Sequence, residues 1–204
     1  MLKLILATKN QGKIEEMRTI LKESDIRGGL EIHTLFCYPD IPDITEDGTT
    51  FEENAKKKAL TVSKFTGLIA IADDSGLEVD ALAGAPGVYS ARFAGEGATD
   101  SENIKKLLGL LSDVPSEKRT ARFVCVIAIA LAGGEIQTVL GECSGIIGTR
   151  ERGTSGFGYD PVFIVPEYGK TFAELGGDIK NKISHRAIAL NRLRSLLKDI
   201  IHQD

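Results

Sequence analysis

The sequence predicts one domain built on a mixed β-sheet, of the α/β or α+β class. Three observations carry this. Apolar runs alternate with amphipathic helical stretches in the first half of the chain. Two long apolar-rich segments then flank Gly133-Gly134, and the chain closes on a helical pattern. A clean doubly wound fold would keep alternating to its end, and this chain does not. At 204 residues it suits one large domain, or one domain with a lobe, that buries roughly 70% of its unfolded surface.

The elements follow in order. Leu4 to Ala7 reads as a short buried strand that turns polar at Thr8. Through Thr8-Lys9-Asn10-Gln11-Gly12-Lys13 it leads into a helix with Ile14, Met17, Ile20 and Leu21 on one face. Glu31 to Phe36 reads as a second strand, and Tyr38 to Gly48, with Pro39 and Pro42, as loop. Thr50-Phe51-Glu52-Glu53 is a capping box, so a helix opens there and runs to about Phe65. Leu68 to Ala72 is wholly apolar and reads as a buried strand delivering Asp73-Asp74-Ser75-Gly76 at its tip. Thr99-Asp100-Ser101-Glu102 caps a further helix, with Ile104, Leu107, Leu108 and Leu111 facing the core. Ala121 to Leu131 and Ile136 to Ser144 form an antiparallel hairpin about Gly133-Gly134. The last helix spans about Ser184 to Ile201, with Leu193, Leu196, Leu197, Ile200 and Ile201 at helical spacing.

Composition excludes several classes of function. Hydrophobic content of 42% and charged content of 26% are those of an ordinary globular chain. The formal net charge is -4 with no long basic run, which argues against a nucleic-acid partner. Cys37, Cys125 and Cys143 are odd in number and widely spaced, as in a reducing compartment. The opening apolar run is too short for a signal segment, and none approaches the ~20 residues of a membrane span. A cytoplasmic protein with no membrane partner is expected.

Four clusters can carry chemistry. Thr8, Lys9, Asn10, Gln11, Gly12 and Lys13 stand between a strand and a helix, where unpaired amides and the positive end of the helix dipole suit phosphate. An ordinary capped turn with a surface lysine explains the same residues. The segment is not a Walker loop, because Ala7 and Ile14 stand where that motif needs glycine and a hydroxyl residue. Asp73 and Asp74, adjacent at the end of an apolar strand, repel one another and are costly to bury without a cation. Hard carboxylate oxygens suit magnesium, which bridges to phosphate. Thr45-Glu46-Asp47-Gly48 offers a further acid, although an acidic loop is usually just solvated.

The third cluster is Gly153-Thr154-Ser155-Gly156-Phe157-Gly158-Tyr159-Asp160-Pro161. Its glycines let a flat ring approach the backbone and its aromatics can stack on that ring; equally, they can pack inward from an irregular turn. The fourth is Lys180 with Ser184-His185-Arg186 at a helix start, where basic groups oppose the dipole and invite an anion or a keto-bearing base. Ser184 is also accounted for as an N-cap, and His185 as a plain surface or core histidine. A phosphate binder, an acidic metal cluster, an aromatic stacker and a basic reader are together what a nucleoside triphosphate hydrolase requires.

The ordered motifs Thr8-x-Asn10-x-x-Lys13, Thr50-Phe51-x-Glu53-Asn54-Ala55, Ala72-Asp73-Asp74-Ser75-Gly76-Leu77, Gly84-x-Pro86-Gly87-x-x-Ser90-Ala91-Arg92, Gly156-Phe157-Gly158-Tyr159-Asp160-Pro161 and Ser184-His185-Arg186 span nearly the whole chain. In these it resembles the inosine/xanthosine triphosphate pyrophosphatases, the Ham1/RdgB-like house-cleaning enzymes. The resemblance implies a two-lobed α/β fold with a long mixed sheet, flanking helices and an active-site cleft between the lobes. It implies a homodimer and a magnesium cofactor. The implied reaction converts ITP, dITP and XTP to monophosphate and pyrophosphate, removing deaminated purines from the nucleotide pool. By motif position, Thr8 to Lys13 hold phosphates, Asp74 is catalytic base and metal ligand, and Ser75 contacts substrate. Glu46 is taken as the second metal ligand. Phe157, Gly158, Tyr159, Asp160, Lys180, His185 and Arg186 form the nucleoside side.

Two rival functions remain open. A Maf-type pyrophosphatase would favour other nucleotides, against the Phe157-to-Asp160 and Ser184-to-Arg186 motifs. A non-catalytic nucleotide sensor would use Lys13 and an aromatic platform but has no use for a buried acid pair. Metal-dependent release of pyrophosphate separates enzyme from sensor.

Overall fold

The computed structural model describes residues 2–22 and 29–201, the last three of them by backbone alone. In chain order the elements are β1 (Leu2–Leu6), α1 (Gln11–Lys22), β2 (Leu30–Thr34), α2 (Phe51–Thr66), β3 (Ile69–Val79), α3 (Asp100–Leu110), β4 (Thr120–Ala130), β5 (Ile136–Ile147), β6 (Phe163–Val165), β7 (Lys170–Thr171), α4 (Phe172–Leu175), α5 (Gly177–Ile183) and α6 (His185–Ile201). The strands form one mixed seven-stranded sheet in the order β2-β1-β3-β4-β5-β6-β7. β1 runs parallel to both β2 and β3, while β6 is antiparallel to β5 and β7. The α/β class expected from the sequence is therefore the one observed.

The chain divides into two compact units: Met1–Asp74, Cys125–Gly141 and Arg186–Asp204 form the first, and Ser75–Val124 with Glu142–His185 the second. The division falls between Asp74 and Ser75, and again between His185 and Arg186. In the first unit, Leu4, Leu6 and Ile71 of the parallel strands pack with Ile14, Met17 and Leu21 of α1 and Leu190, Leu193 and Leu197 of α6. Each such side chain is worth about 1.5–3 kcal/mol in burial. The side chains of Ile200 and Ile201, expected on the same helix face, lie outside the described residues. In the second unit, Leu77 and Val79 of β3 join Ile104 and Leu107 of α3, Phe123, Phe163 and Phe172.

The helix starts obey the sequence signals. Thr50 and Thr99 are N-caps with complete capping boxes to Glu53 and Glu102, and the same box recurs at Thr171 and Glu174, where no helix was expected. Such a cap is worth about 1 kcal/mol. α2 ends on Gly67, whose φ of 68° a side-chain-bearing residue adopts only with strain. The hairpin closes with the Leu131 amide donating to Glu135 O, and Gly134 takes a φ of 89°.

Two expectations are corrected. The second strand stops at Thr34, and Leu35 to Cys37 form a 3-10 turn that leaves Phe36 65% exposed. A tight turn suits this apolar triplet because only Leu35 has a core to enter. More consequentially, β3 does not end at the acids. It continues to Val79, so Asp73 and Asp74 sit in mid-strand, at 0% and 5% exposure. Leu77 and Val79, fully buried, extend the strand past them. Among the described residues no helix is long and apolar enough to cross a membrane.

Candidate functional site

In the first unit, β3 carries the acids and three neighbouring elements supply the counter-charges. Asp73 Oδ2 accepts from Lys13 Nζ at 3.0 Å and from Arg186 Nε and Nη2 at 3.2 and 3.1 Å. Arg186 Nη1 in turn donates to Glu16, which lies one turn beyond Lys13 on α1. Burial works to raise the Asp73 carboxyl. Lys13, Arg186 and Lys58 outweigh it and hold the group well below the ordinary carboxylate range.

Asp74 has different company. Its Oδ2 accepts from Asn54 Nδ2 at 3.0 Å, and Lys58 Nζ lies 3.4 Å from its Oδ1. The Asn54 amide is oriented by the Gly48 N–H, which donates to Asn54 Oδ1 at 2.8 Å. A Cβ on Gly48 would stand 2.7 Å from that oxygen, so the close approach requires glycine. Burial raises the Asp74 carboxyl above its usual range, and Glu46 adds to it. Lys58, Lys13 and Asn54 pull the other way and do not cancel it. Lys58 also reaches Glu46 Oε1 at 3.0 Å, so one ammonium stands between two carboxylates. Burial disfavours that ammonium, but Asp74, Asp73 and Glu46 more than restore it.

Among the described residues there is no group of three or more His, Cys, Asp or Glu side chains that could hold a metal ion. Glu46 and Asp74, sharing the Lys58 ammonium, offer a pair of hard oxygen ligands. That fits magnesium, which takes one or two carboxylates and fills its octahedron with water and substrate phosphate.

The Thr8–Lys13 segment is only partly free for phosphate. Asn10 Oδ1 accepts the Lys13 N–H at 3.0 Å, capping α1, and the Asn10 N–H bonds to Thr8 Oγ1 at 3.2 Å. Lys9 pairs at the surface with Asp43, and Gln11 with Glu15. Thr8, Lys9 and Lys58 help line a groove of about 610 Å³, together with Phe36, Tyr38 and Pro42.

In the second unit the glycine-rich segment is held from within. Asp160 Oδ2 accepts the Phe157 N–H at 3.0 Å and Lys180 Nζ at 2.5 Å. A Cβ on Gly156, whose φ is 84°, would stand 2.1 Å from that same oxygen, and one on Gly153 would meet the Ala173 backbone at 2.4 Å. Lys180 Nζ lies 4.4 Å from the centre of the half-buried Phe157 ring. His185 is buried and stacks on Phe123 at 4.6 Å with the rings 12° apart. Ser75 is half-buried at the start of this unit.

The structure thus assembles Lys13, Glu46, Asp74 and Arg186 in one unit and Phe157, Asp160 and Lys180 in the other. Two of the expected nucleoside contacts are buried and have protein partners. Tyr159 is 4% exposed and donates its hydroxyl to Ser90 O at 2.9 Å, so it is a core side chain with its polar tip satisfied rather than a stacking face. Arg186 is 2% exposed, and its guanidinium donates to Asp73 and Glu16. A buried guanidinium beside a buried carboxylate has no cheaper partner. Two residues of the acidic cluster were not singled out from sequence. Lys58 reads as one of three consecutive lysines, and only its helical phase distinguishes it; Asn54 stood in a quoted motif without a role.

The profile of the Ham1 family matches residues 4–196 of this chain. A dITP/XTP pyrophosphatase of Desulforamulus reducens is 53% identical over 204 residues, covering 100% of both chains. One from Bacillus licheniformis is 52% identical over 197 residues, covering 97% of this chain and 98% of its own. The solved structure of a HAM1 protein from Coxiella burnetii superposes with a TM-score of 0.87 at 43% identity, covering 98% of this chain and 100% of that one. The Ham1 protein of Staphylococcus aureus gives 0.85 at 41%, covering 97% and 98%.

Proposed function

Since the chain belongs to the Ham1 family, we propose that it is a pyrophosphohydrolase that cleaves dITP and XTP, and ITP with them, to the nucleoside monophosphate and pyrophosphate. The observation that carries this reading is the divided state of the acid pair. Asp73 is neutralised by Lys13 and Arg186, while Asp74, one residue on, is raised by burial and held between an amide and an ammonium. A buried carboxylate held in a fixed orientation by an amide and an ammonium suits a general base. A sensor would gain nothing from it.

In the proposed reaction water attacks the α-phosphorus in line, and Asp74 takes its proton. The new O–P bond forms as the bond to the pyrophosphate oxygen breaks, and Asp74 later returns the proton to solvent. Lys13 and Lys58 offset the charge of the triphosphate and of the departing pyrophosphate. Glu46 and Asp74 would hold magnesium, which, when bound, withdraws charge from phosphate oxygens and acidifies water. Phe157 stacks on the purine, and Lys180, fixed by Asp160, faces its keto edge. In this reading Tyr159 anchors the glycine-rich segment through Ser90, and Arg186 supports Asp73. The enzyme acts as a cytoplasmic homodimer in this reading.

The deciding experiment is a panel of ITP, dITP, XTP, GTP and ATP with magnesium, scored separately for pyrophosphate and orthophosphate. Pyrophosphate from the first three supports the proposal. Orthophosphate as first product, or no metal-dependent turnover of any of them, overturns it.

A further inference from the structure

The segment Gly156 to Asp160 is also tethered from α3. Gly158, in the left-handed region at a φ of 60°, donates its N–H to Asp100 Oδ2 at 2.7 Å. Asp100 is the first residue of α3, and that helix has no need of it as a cap. The Thr99 hydroxyl already accepts the Glu102 N–H at 3.3 Å, and Glu102 Oε2 accepts the Thr99 N–H at 2.8 Å. The Asp100 carboxylate is therefore left to serve another part of the chain. A second tether reinforces the first, because Tyr159 bonds to Ser90 O and Ser90 Oγ accepts the Leu77 N–H at 2.9 Å.

The placement has a consequence for Phe157. Its own N–H is held by Asp160 and the next N–H by Asp100, so two successive peptide groups are fixed by carboxylates. A glycine at 158 gives the backbone freedom that these two bonds remove. The ring of Phe157 is thereby kept over Lys180 Nζ.

We propose that Asp100 is a positioning residue of the nucleobase side: through the Gly158 amide it holds the Phe157 ring in the orientation in which it stacks on a purine. The proposal rests on the reading of Phe157 as the stacking residue under the proposed function. Asp100 touches no substrate, and its loss acts on binding before chemistry.

The test compares Asp100→Ala and Asp100→Asn in the full chain, with ITP and magnesium. For Asp100→Ala the KM should rise ~10-fold, about what one hydrogen bond to a charged group is worth, with kcat within about 2-fold. Asp100→Asn keeps an acceptor oxygen and should restore most of the KM. Because the capping box remains, Tm should fall by less than about 10 °C in Asp100→Ala and by less again in Asp100→Asn. The Gly158 amide, followed by hydrogen exchange in NMR spectra, should exchange faster in Asp100→Ala than in the wild type. Unchanged exchange would overturn the tether, and a fall in kcat at constant KM would show a merely structural role. If the wild-type protein releases no pyrophosphate from ITP, the proposed function fails, whereas the exchange comparison still decides whether Asp100 holds the loop.

Discussion

Asp73 and Asp74 are neighbours on one strand, yet their surroundings push them in opposite directions, Asp73 below the usual carboxylate range and Asp74 above it. Alternation explains how this is possible, since successive strand residues point to opposite faces. One acid meets Lys13 and Arg186, the other Asn54 and Lys58. Removing each should therefore have a different effect. Asp74→Asn should lower ITP turnover ~10²–10⁴-fold with little change in unfolding, the usual worth of a general base. Asp73→Asn should destabilise by about 3–5 kcal/mol, as when one partner of a buried pair is removed. Urea unfolding beside steady-state kinetics separates the two, and near-normal turnover in Asp74→Asn would sink its role as base.

The same pair fixes a pH dependence. A carboxyl with a depressed folded pKa stabilises the fold above its unfolded value, 3.8 for Asp73, and the contribution is lost as pH falls from there towards the lower folded value. Part of the acid destabilisation of the wild type should thus be missing from Asp73→Asn. If both proteins lose stability in parallel below pH ~4, the Lys13–Asp73–Arg186 network is not its source.

Lys58 gives the second test within the acidic cluster. It is 7% exposed and shared between Glu46 and Asp74, so Lys58→Ala leaves two carboxylates facing each other without their ammonium. Turnover should drop ~10²-fold or more if this cation also stabilises the departing pyrophosphate. Lys58→Arg, which keeps the charge, should recover part of it. Equal activity in all three proteins would remove Lys58 from the site.

Much of this arrangement was legible in the sequence, and the exceptions share a cause. Capping signals at Thr50 and Thr99, the α1 stripe and the Gly133-Gly134 turn are local, and all appear where expected. The end of β3 was misjudged because a buried acid pair reads as a turn unless its counter-charges are known. Those are Lys13 and Arg186, 60 and 113 residues from Asp73, and Lys58, 16 residues from Asp74. Tyr159 and Arg186 were assigned to the base for a similar reason. Nothing in a motif says which of two aromatics turns inward, or that an arginine at a helix start has two carboxylates waiting.

Assembly state makes a separate prediction. Light scattering at micromolar concentration should return about twice the chain mass of 22.0 kDa. A monomer at that concentration would overturn the homodimer and leave the activity proposal standing.

The last prediction concerns what tells hypoxanthine from adenine. Hypoxanthine and xanthine present a keto acceptor at C6, where adenine presents an amino donor. A protein donor facing that edge is left unpaired by ATP, at about 1–3 kcal/mol for each buried group. The sequence offers Lys180, His185 and Arg186 together for this edge. Arg186 is paired with Asp73 and Glu16, and Lys180, equally buried, with Asp160; because Lys180 Nζ lies 4.4 Å from the centre of the Phe157 ring proposed to stack on the base, we take Lys180 as the reader to be tested first. Lys180→Gln keeps a hydrogen-bond donor for Asp160 but removes the counter-charge of a buried carboxylate, so it should also cost about 3–5 kcal/mol of stability, and the ITP-to-ATP ratio is the readout that separates the two effects. It should lower kcat/KM for ITP more than for ATP, narrowing their ratio ~10-fold or more. Arg186→Lys should instead lower both substrates together and reduce stability, because it disturbs the support of Asp73. Should Arg186→Lys narrow the ratio while Lys180→Gln leaves it intact, the keto reader is Arg186 after all, and its pairing with Asp73 and Glu16 must break when nucleotide binds.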